Sequence, residues 1–88
     1  MYQRASSGNC DSLGISKLSS MEECQIAAIT LGLLDTTADF SWTQSRPHGC
    51  IYASNNRLEW NSPDTSVTCG SFHGGEYYDC LCKDPGKG

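Results

Sequence analysis

One segment of the chain, between residues 20 and 32, has apolar residues at the spacing of an α-helix. The run from Ser20 to Glu23 has the form of a capping box, in which a serine hydroxyl and a glutamate carboxylate each satisfy backbone N–H groups. Gly32 is a typical residue to end a helix. The positions expected to face the core are Met21, Cys24, Ala27, Ala28 and Leu31. The pattern therefore predicts one helix with an apolar face.

Ile26 and Ile29 fall on a different side of this helix. One interpretation is a second contact with the N-terminal segment, where Leu13, Ile15 and Leu18 supply apolar partners. The other is an exposed apolar strip that binds a partner. The sequence leaves both interpretations open.

The remaining apolar residues occur in short runs bounded by turn residues, a pattern typical of β-strands. Strands are predicted at residues 40–43, 49–53, 57–60, 67–69 and 77–82. A hairpin turn is predicted at 54–56, because asparagine tolerates positive φ, and a loop at 70–75. The predicted fold class is α+β, a small disulfide-rich domain in which one α-helix packs on a short antiparallel β-sheet.

The 88-residue chain has six cysteines, at positions 10, 24, 50, 69, 80 and 82. An even count in a short chain, without the paired spacing of a zinc site, predicts a disulfide framework and an oxidising compartment. Apolar residues make up 38% of the chain. Such a small core supplies only about 3–5 kcal/mol of net stability, so a covalent staple is expected. Secretion, or another oxidising lumenal compartment, is the expected localisation.

The positions of the cysteines favour one pairing. Cys24 on the inner face of the helix and Cys50 in a central strand are expected to bond, closing a loop of about 25 residues. Cys80 and Cys82 lie two apart in a strand, so their side chains point to the same face and suit two separate partners. The expected pairs are Cys24–Cys50, Cys10–Cys82 and Cys69–Cys80. An exchange of partners between the last two pairs is the alternative.

Charge and hydropathy exclude some partners. Ten acidic and six basic residues give a net charge of −4 without a cluster of Lys and Arg, so nucleic acid is not an expected partner. No stretch approaches the roughly 20 apolar residues that span a bilayer, so no membrane insertion is expected. A single domain is expected at 9–83, between flexible tails at 1–8 and 84–88. We interpret it as one module of a larger secreted protein.

Catalysis and metal binding are not expected. Zinc would need His48 and His73 with further ligands, and neither His-x-x-x-His nor Cys-x-x-Cys occurs. His48, between a proline and a glycine, is expected in a turn with a hydrogen bond to the backbone. Serine, His73 and Asp79 are available for nucleophilic catalysis, but no nucleophile elbow is present. No cofactor is expected.

Residues 70–78 are the best candidate for a binding surface, because they mix aromatic rings, polar groups and flexible glycines. Aromatic residues of the sheet extend this surface. The candidate ligand-binding residues are Trp42, Tyr52, Arg57, Trp60, Phe72, His73, Glu76, Tyr77 and Tyr78. Aromatic faces beside Asn and Glu suit a sugar, through stacking and hydrogen bonds. The alternative is that the aromatic residues form the core, above all Trp42 and Tyr52.

A helix cysteine followed by a strand with Gly49-Cys50-Ile51-Tyr52, together with a final cysteine strand, resembles the PAN/apple module over residues 8–83. That resemblance implies one helix across a curved antiparallel sheet, and an extracellular, non-catalytic module that binds proteins or carbohydrates. Apple helices commonly carry a second cysteine one turn away, where this chain has Ala27 or Ala28. The run from Cys24 to Tyr52 is more similar to a little-characterised cysteine-rich domain of predicted secreted proteins from algae and other protists.

The expected function is therefore a non-enzymatic extracellular module for recognition or adhesion, which binds a protein or a glycan. The alternative is a structural subunit that packs with copies of itself in a filament, coat or matrix. In that case Ile26 and Ile29 would form part of the interface.

Overall fold

The computed structural model describes residues 2–84, which fold as one mixed β-sheet covered by one α-helix. The helical segments are a short 3₁₀-helix (Asp11–Leu13) and α1 (Met21–Thr30). The strands are β1 (Tyr2–Ala5), β2 (Ser16–Lys17), β3 (Asp39–Ser41), β4 (Gly49–Ala53), β5 (Leu58–Asn61), β6 (Ser71–His73) and β7 (Glu76–Lys83). The chain is thus a small disulfide-rich α+β domain.

Helix α1 begins where the sequence predicts, because Ser20 caps it. The Ser20 hydroxyl accepts a hydrogen bond from the Glu23 N–H at 3.1 Å. The Glu23 carboxylate pairs with Ser19 and not with Ser20, accepting from the Ser19 N–H at 3.1 Å and from its hydroxyl at 3.2 Å. The backbone hydrogen bond from Ser19 holds the pKa of Glu23 below its ordinary value of 4.5. The Glu23 carboxylate therefore binds the residue before the N-cap, whereas in a standard capping box it would bind the N-cap residue, Ser20, itself.

The helix ends at Thr30, and Gly32, just beyond its C-cap, adopts a φ of +71° that a side chain would disfavour. Beyond it, the Leu33 N–H donates to the Ala28 carbonyl at 3.0 Å, the hydrogen bond of a Schellman cap. The helix residues that pack on the core are the predicted set, Met21, Cys24, Ala27, Ala28 and Leu31. The two buried alanines let the helix backbone approach the sheet closely.

Strand β7 organises the sheet, whose order is β1-β7-β4-β5-β3. One edge of β7 pairs with β6 and then β1, and the other edge pairs with β4 and then β2. Strand β3 pairs parallel to β5 along Asp39–Ser41, so the prediction of a wholly antiparallel sheet is wrong. The chain reaches β3 from α1 and not through a hairpin, and only a hairpin would impose antiparallel pairing.

Residues 2–5, expected in a flexible tail, form β1 against β7, with Tyr2 opposite Lys83 and Ala5 opposite Cys80. Their side chains are mostly polar, so hydrophobic periodicity gives no strand signal here. The exposed edge of β7 nevertheless offers backbone groups that need partners. The predicted C-terminal tail, 84–88, lies outside the described residues except for Asp84.

Two other predictions for the C-terminal half are wrong. Residues 67–69 form no strand but belong to an irregular segment, held where the Cys69 N–H donates to the Gly8 carbonyl at 2.7 Å. Residues 70–75, expected as a loop, contain β6 and the tight turn to β7. This hairpin is difficult to predict from the sequence, because the glycines interrupt the alternation of apolar and polar side chains that indicates a strand.

Apolar clusters cover both faces of the sheet. The inner cluster, between the sheet and α1, consists of Leu18, Cys24, Ala27, Ala28, Ala38, Cys50, Tyr52, Leu58 and Leu81. The outer face carries two clusters, one of Ala5, Cys10, Ile15, Cys69, Cys80 and Cys82, and one of Ile51, Ala53 and Tyr78. Strand β4 is therefore buried along its whole length.

Three disulfides hold these layers together, and no cysteine is free. They are Cys10–Cys82, Cys24–Cys50 and Cys69–Cys80, the pairs expected from the sequence without the exchange. The second joins α1 to β4, and the other two join the N-terminal and irregular segments to β7. Three disulfides indicate an oxidising compartment. Within residues 2–84, no helix has the length and apolar character that crossing a membrane requires.

Ile26 and Ile29 are exposed residues of α1 and belong to none of the buried apolar clusters. Leu18 packs in the inner cluster and Ile15 in the outer one, while Leu13 is itself exposed. Ile26 is 47% exposed and Ile29 64% exposed. Both isoleucines therefore contribute apolar area to the surface of α1, as the second interpretation requires.

Candidate functional site

The structure divides the nine candidate residues among three places. Five of them belong to the β6–β7 hairpin, namely Phe72, His73, Glu76, Tyr77 and Tyr78. Trp42, Arg57 and Trp60 lie near β3 and β5, on the other side of the sheet. Tyr52 is 1% exposed in the inner cluster. The single continuous surface expected from the sequence does not form.

The hairpin is built around Gly74 and Gly75, which have φ values of +61° and +88°. Two successive residues with positive φ make the tight turn that suits the twist of paired strands, and glycine adopts it at no steric cost. The turn places Phe72 directly opposite Tyr77. Their ring centroids lie 4.9 Å apart in an edge-to-face arrangement, with 61% of Phe72 and 57% of Tyr77 exposed.

The hairpin is attached to the β4–β5 turn through Ser54. The Ser54 N–H donates to the Tyr77 carbonyl at 2.9 Å, and the Ser54 hydroxyl accepts from the Tyr77 N–H at 3.0 Å. The same hydroxyl donates to Glu76 Oε1 at 2.5 Å. The exposed amides of Asn55 and Asn56 follow in the turn. We call this set, residues 54–56 with Phe72, Glu76 and Tyr77, the hairpin end.

Arg46 supports the hairpin from the outer face of the sheet. Its Nη1 donates to Glu59 Oε1 at 2.7 Å, and its Nε donates to His73 Nδ1 at 3.2 Å. Because arginine only donates, Nδ1 of His73 is the acceptor and its imidazole proton is on Nε2. The guanidinium lies 4.6 Å from the centroid of the Tyr78 ring. Arg46 therefore connects β5, β6 and β7.

Arg46 is a residue that reasoning from the sequence missed. The available signal was Glu59, which alternates with Leu58 and Trp60 in a short strand. This alternation points Glu59 to the outer face of the sheet, where its carboxylate reaches solvent only if no other segment covers that face. Here that face is covered and Glu59 is 4% exposed, so it needs a cation.

Two predicted contact residues, Tyr52 and Tyr78, are buried. Tyr78 packs with Ile51 and Ala53, and burial raises its pKa above the ordinary value of 10.0. The Tyr52 hydroxyl donates to Asn56 Oδ1 at 3.4 Å. Tyr52 is 1% exposed and Tyr78 4% exposed, so neither ring offers a face to a ligand.

The residues near β3 form a separate group. Trp42 is 67% exposed, so the alternative that it belongs to the core is wrong, and Trp60 is half-buried against the inner cluster. Arg57 forms an exposed ion pair with Asp39 at 3.3 Å. Phe40 was not among the candidates, although it is 65% exposed in β3. This group lies at the opposite edge of the sheet from β6.

The side chains considered for acid–base or metal chemistry have other partners. His73 accepts from Arg46, and Asp79 pairs with Arg4 at 2.7 Å. His48 Nδ1 lies 2.8 Å from the Pro63 carbonyl, the backbone hydrogen bond expected for it. Residues 2–84 contain no group of three or more His, Cys, Asp or Glu side chains placed to hold a metal ion.

A small cleft on the outer face is lined by Lys17, Pro47, His48 and residues 65–67, among others. Its volume is ≈ 70 Å³. Pockets that enclose drug-sized ligands measure about 300–1,000 Å³, so this cleft admits a few waters or one small group. We assign it no function.

Comparison of the chain with protein-family models, with curated proteins and with solved structures finds no match. The fold and the disulfides define its class, a small disulfide-rich α+β domain of an oxidising compartment. Any statement about its activity therefore depends on the geometry of its surface.

Proposed function

We propose that the protein is a non-catalytic recognition module of an extracellular protein, which binds a glycan or a protein through the hairpin end. The observation that carries the proposal is the exposed Phe72–Tyr77 pair. Four of the eight aromatic residues are more than half exposed, in a domain whose core is small. A chain that leaves large apolar rings in water loses the stability that their burial would add, which favours a role in binding.

Rigidity supports this role. The Cys69–Cys80 disulfide lies close to the hairpin along β7. Arg46 links the hairpin to β5, because it binds both His73 and Glu59. The hydrogen bonds of Ser54 hold the two turns together. A surface that is ordered before binding loses less conformational entropy when a ligand docks.

The polar groups beside the rings suit a carbohydrate. Asn55 and Asn56 supply amide donors and acceptors, and Glu76 supplies a carboxylate oriented by Ser54. The C–H face of a sugar ring stacks on an aromatic ring while its hydroxyls bond to such groups. Tyr77 adds a phenol at the same place. A protein loop with apolar and hydroxyl side chains would make the same contacts, packing on the rings and forming hydrogen bonds with the polar groups beside them.

A PAN/apple-like architecture is part of the proposal. The disulfide between α1 and β4 supports it, as does the N-terminal strand paired with the last strand. The mixed sheet, in which β3 is parallel to β5, differs from the antiparallel sheet that the resemblance implies. If the likeness holds, the module is secreted as one domain among several.

The proposal is tested by binding of the oxidised domain to an immobilised panel of glycans. The variants Phe72→Ala and Tyr77→Ala should each lose binding, because each removes an exposed ring without opening the core. Trp42→Ala is the matched control, since it removes an equally exposed ring from the opposite edge. For a protein ligand, a photoreactive phenylalanine at position 72 should crosslink, whereas one at the exposed position 13 should not. Binding that survives both hairpin variants but is lost with Trp42→Ala would place the site elsewhere.

A structural role in an extracellular assembly is the second candidate function. The exposure of Ile26 and Ile29 favours it, because both present apolar area on α1 that a neighbouring subunit would cover. An assembly subunit would form large oligomers whose size does not respond to changes at Phe72. Light scattering of the hairpin variants distinguishes the two candidates.

A further inference from the structure

The two histidines of the chain make hydrogen bonds that respond oppositely to protonation. His48 Nδ1 lies 2.8 Å from the Pro63 carbonyl, which only accepts, so this nitrogen carries a proton and donates. A second proton on Nε2 leaves that bond intact. His73 Nδ1 accepts from Arg46 Nε at 3.2 Å, so it carries no proton. Protonation of His73 therefore removes the acceptor that Arg46 uses.

A protonated His73 would also lie beside the positive charge of Arg46. The guanidinium stays charged and only donates, so two N–H groups would point at each other. Arg46 is held in place, because its Nη1 donates to Glu59 at 2.7 Å and its guanidinium lies 4.6 Å from the centroid of the Tyr78 ring. The imidazole of His73 is therefore the group that moves.

An acceptor for the protonated imidazole lies across the hairpin. Glu76 is directly opposite His73 in the register of β6 and β7. Residues in this relation share a face, with Cβ atoms about 4.5–5.5 Å apart. Glu76 Oε1 accepts from the Ser54 hydroxyl at 2.5 Å, and no ion pair within residues 2–84 includes this carboxylate. Its negative charge would attract an imidazolium.

The other charged and titratable groups near the hairpin do not replace Glu76 as that acceptor. These groups are Arg46, Arg57, Glu59 and Tyr78. The Glu59 carboxylate is bonded to Arg46, and Arg57 is paired with Asp39 at 3.3 Å. Burial raises the pKa of Tyr78 above 10.0, so the phenol stays neutral at acidic pH.

We propose that His73 makes the hairpin end sensitive to pH. Acidification to about pH 5 protonates the imidazole, which breaks its bond with Arg46 and draws the Glu76 carboxylate away from Ser54. The Ser54 hydroxyl also accepts from the Tyr77 N–H at 3.0 Å, so the change reaches the exposed ring through the backbone. Release of a bound ligand at acidic pH follows, a consequence that rests on the proposed function of the hairpin end.

The rearrangement is tested on the oxidised protein without a ligand. The ¹⁵N resonances of the imidazole show which nitrogens are protonated. For His73, Nδ1 should be unprotonated at about pH 7.5 and both nitrogens protonated at about pH 5. Hydrogen exchange at the Tyr77 amide, relative to its intrinsic rate, should be about tenfold faster at the lower pH, the factor expected for loss of one charged hydrogen bond. The Leu31 amide, which donates to Ala27 in α1, should not change.

His73→Asn is the decisive variant, because the asparagine carbonyl replaces Nδ1 as an acceptor for Arg46 and does not titrate. It should abolish the pH dependence of exchange at Tyr77. His48→Asn is the matched control and should leave that dependence unchanged. Glu76→Gln should reduce it, because a neutral amide does not attract an imidazolium. Circular dichroism checks that each variant is folded, and the ¹⁵N resonances of the unaltered protein decide the question if His73→Asn does not fold.

Three results would overturn the proposal. They are a His73 that stays unprotonated at about pH 5, a protonated His73 without faster exchange at Tyr77, and a pH effect that persists in His73→Asn. None of these measurements uses a ligand, so their failure is distinct from failure of the proposed function. For any glycan of the panel that binds, the dissociation constant should rise about tenfold over the same pH range, and His73→Asn should remove that rise.

Discussion

Replacement of Arg46 by methionine is the perturbation whose effect follows most directly from the structure. Methionine keeps much of the apolar stem over Tyr78 but removes the guanidinium. Glu59, whose side chain is 6% exposed, then loses the guanidinium that lies 2.7 Å from its carboxylate, and His73 loses a donor. A buried carboxylate left without its partner costs about 3–5 kcal/mol. Because 21% of the Arg46 side chain is exposed and water can enter, the lower end of that range applies.

An effect of about 3 kcal/mol is large for this domain, whose total stability is on the order of 4–13 kcal/mol at 0.05–0.15 kcal/mol per residue. It should lower the melting temperature by roughly 12–24 °C. Urea unfolding of the oxidised protein, followed by tryptophan fluorescence, measures the change in free energy. The double variant Arg46→Met/Glu59→Gln should recover about half of the loss, since no buried charge remains.

Arg57→Met is the control for this experiment. Arg57 and its partner Asp39 are both more than half exposed, so removal of this ion pair should cost less than about 0.5 kcal/mol. If Arg46→Met costs no more than Arg57→Met, Glu59 is not desolvated in the folded protein. The account of how the hairpin is held would then be refuted.

Three further predictions concern the scaffold. Replacing both Cys24 and Cys50 by alanine should cost about 3.5 kcal/mol, from the loop entropy of a 26-residue separation, and urea unfolding should show a much lower midpoint. Ser20→Ala should cost about 1 kcal/mol through loss of the helix cap, and an unchanged melting temperature would show that α1 does not depend on it. Burial raises the pKa of Tyr78, so the contribution of this phenol to stability should be constant below pH 10.0 and fall above it as the unfolded phenol ionises. Urea unfolding on both sides of pH 10.0 measures this fall, which should be smaller in the Tyr78→Phe variant; an equal fall in the two proteins would contradict the prediction.

The parts of the fold that the sequence predicts best have a local or covalent cause. Ser20 and Gly32 define α1 because caps act within one helical turn. The Cys24–Cys50 disulfide follows from the position of Cys24 on the helix. The alternation along the last strand indicates separate partners for Cys80 and Cys82 without deciding which cysteine each one meets. These signals do not depend on what the distant parts of the chain do.

The parts that the sequence does not predict depend on long-range pairing. Strand β1 is polar, and it forms because β7 offers it an edge. Strand β3 is parallel to β5 because of the path the chain takes from α1, which no local pattern encodes. Residues 67–69 alternate as a strand would, yet a disulfide and turn hydrogen bonds fix them without a partner strand.

The candidate site is predicted only in part, because it too depends on contacts between distant segments of the chain. Composition marks residues 70–78 as unusual, and Phe72 and Tyr77 are indeed exposed there. Composition does not reveal which aromatic residues are covered, so it does not separate the buried rings of Tyr52 and Tyr78 from the exposed ones. Their burial depends on segments that cross the outer face. The role of Arg46 is not predictable from the sequence, because it depends on β5, β6 and β7 lying close together in the folded sheet.

Chemical-shift mapping tests the central claim, recognition by the hairpin end, most directly. The ¹⁵N-labelled oxidised domain is titrated with simple saccharides up to about 10 mM, and with any protein captured by the crosslinker at position 72. The account predicts saturable shifts confined to the amides of residues 54–56 and 71–78, and their loss in the Phe72→Ala variant. Shifts centred on β3 and α1, or no shift with any of these ligands, would contradict it.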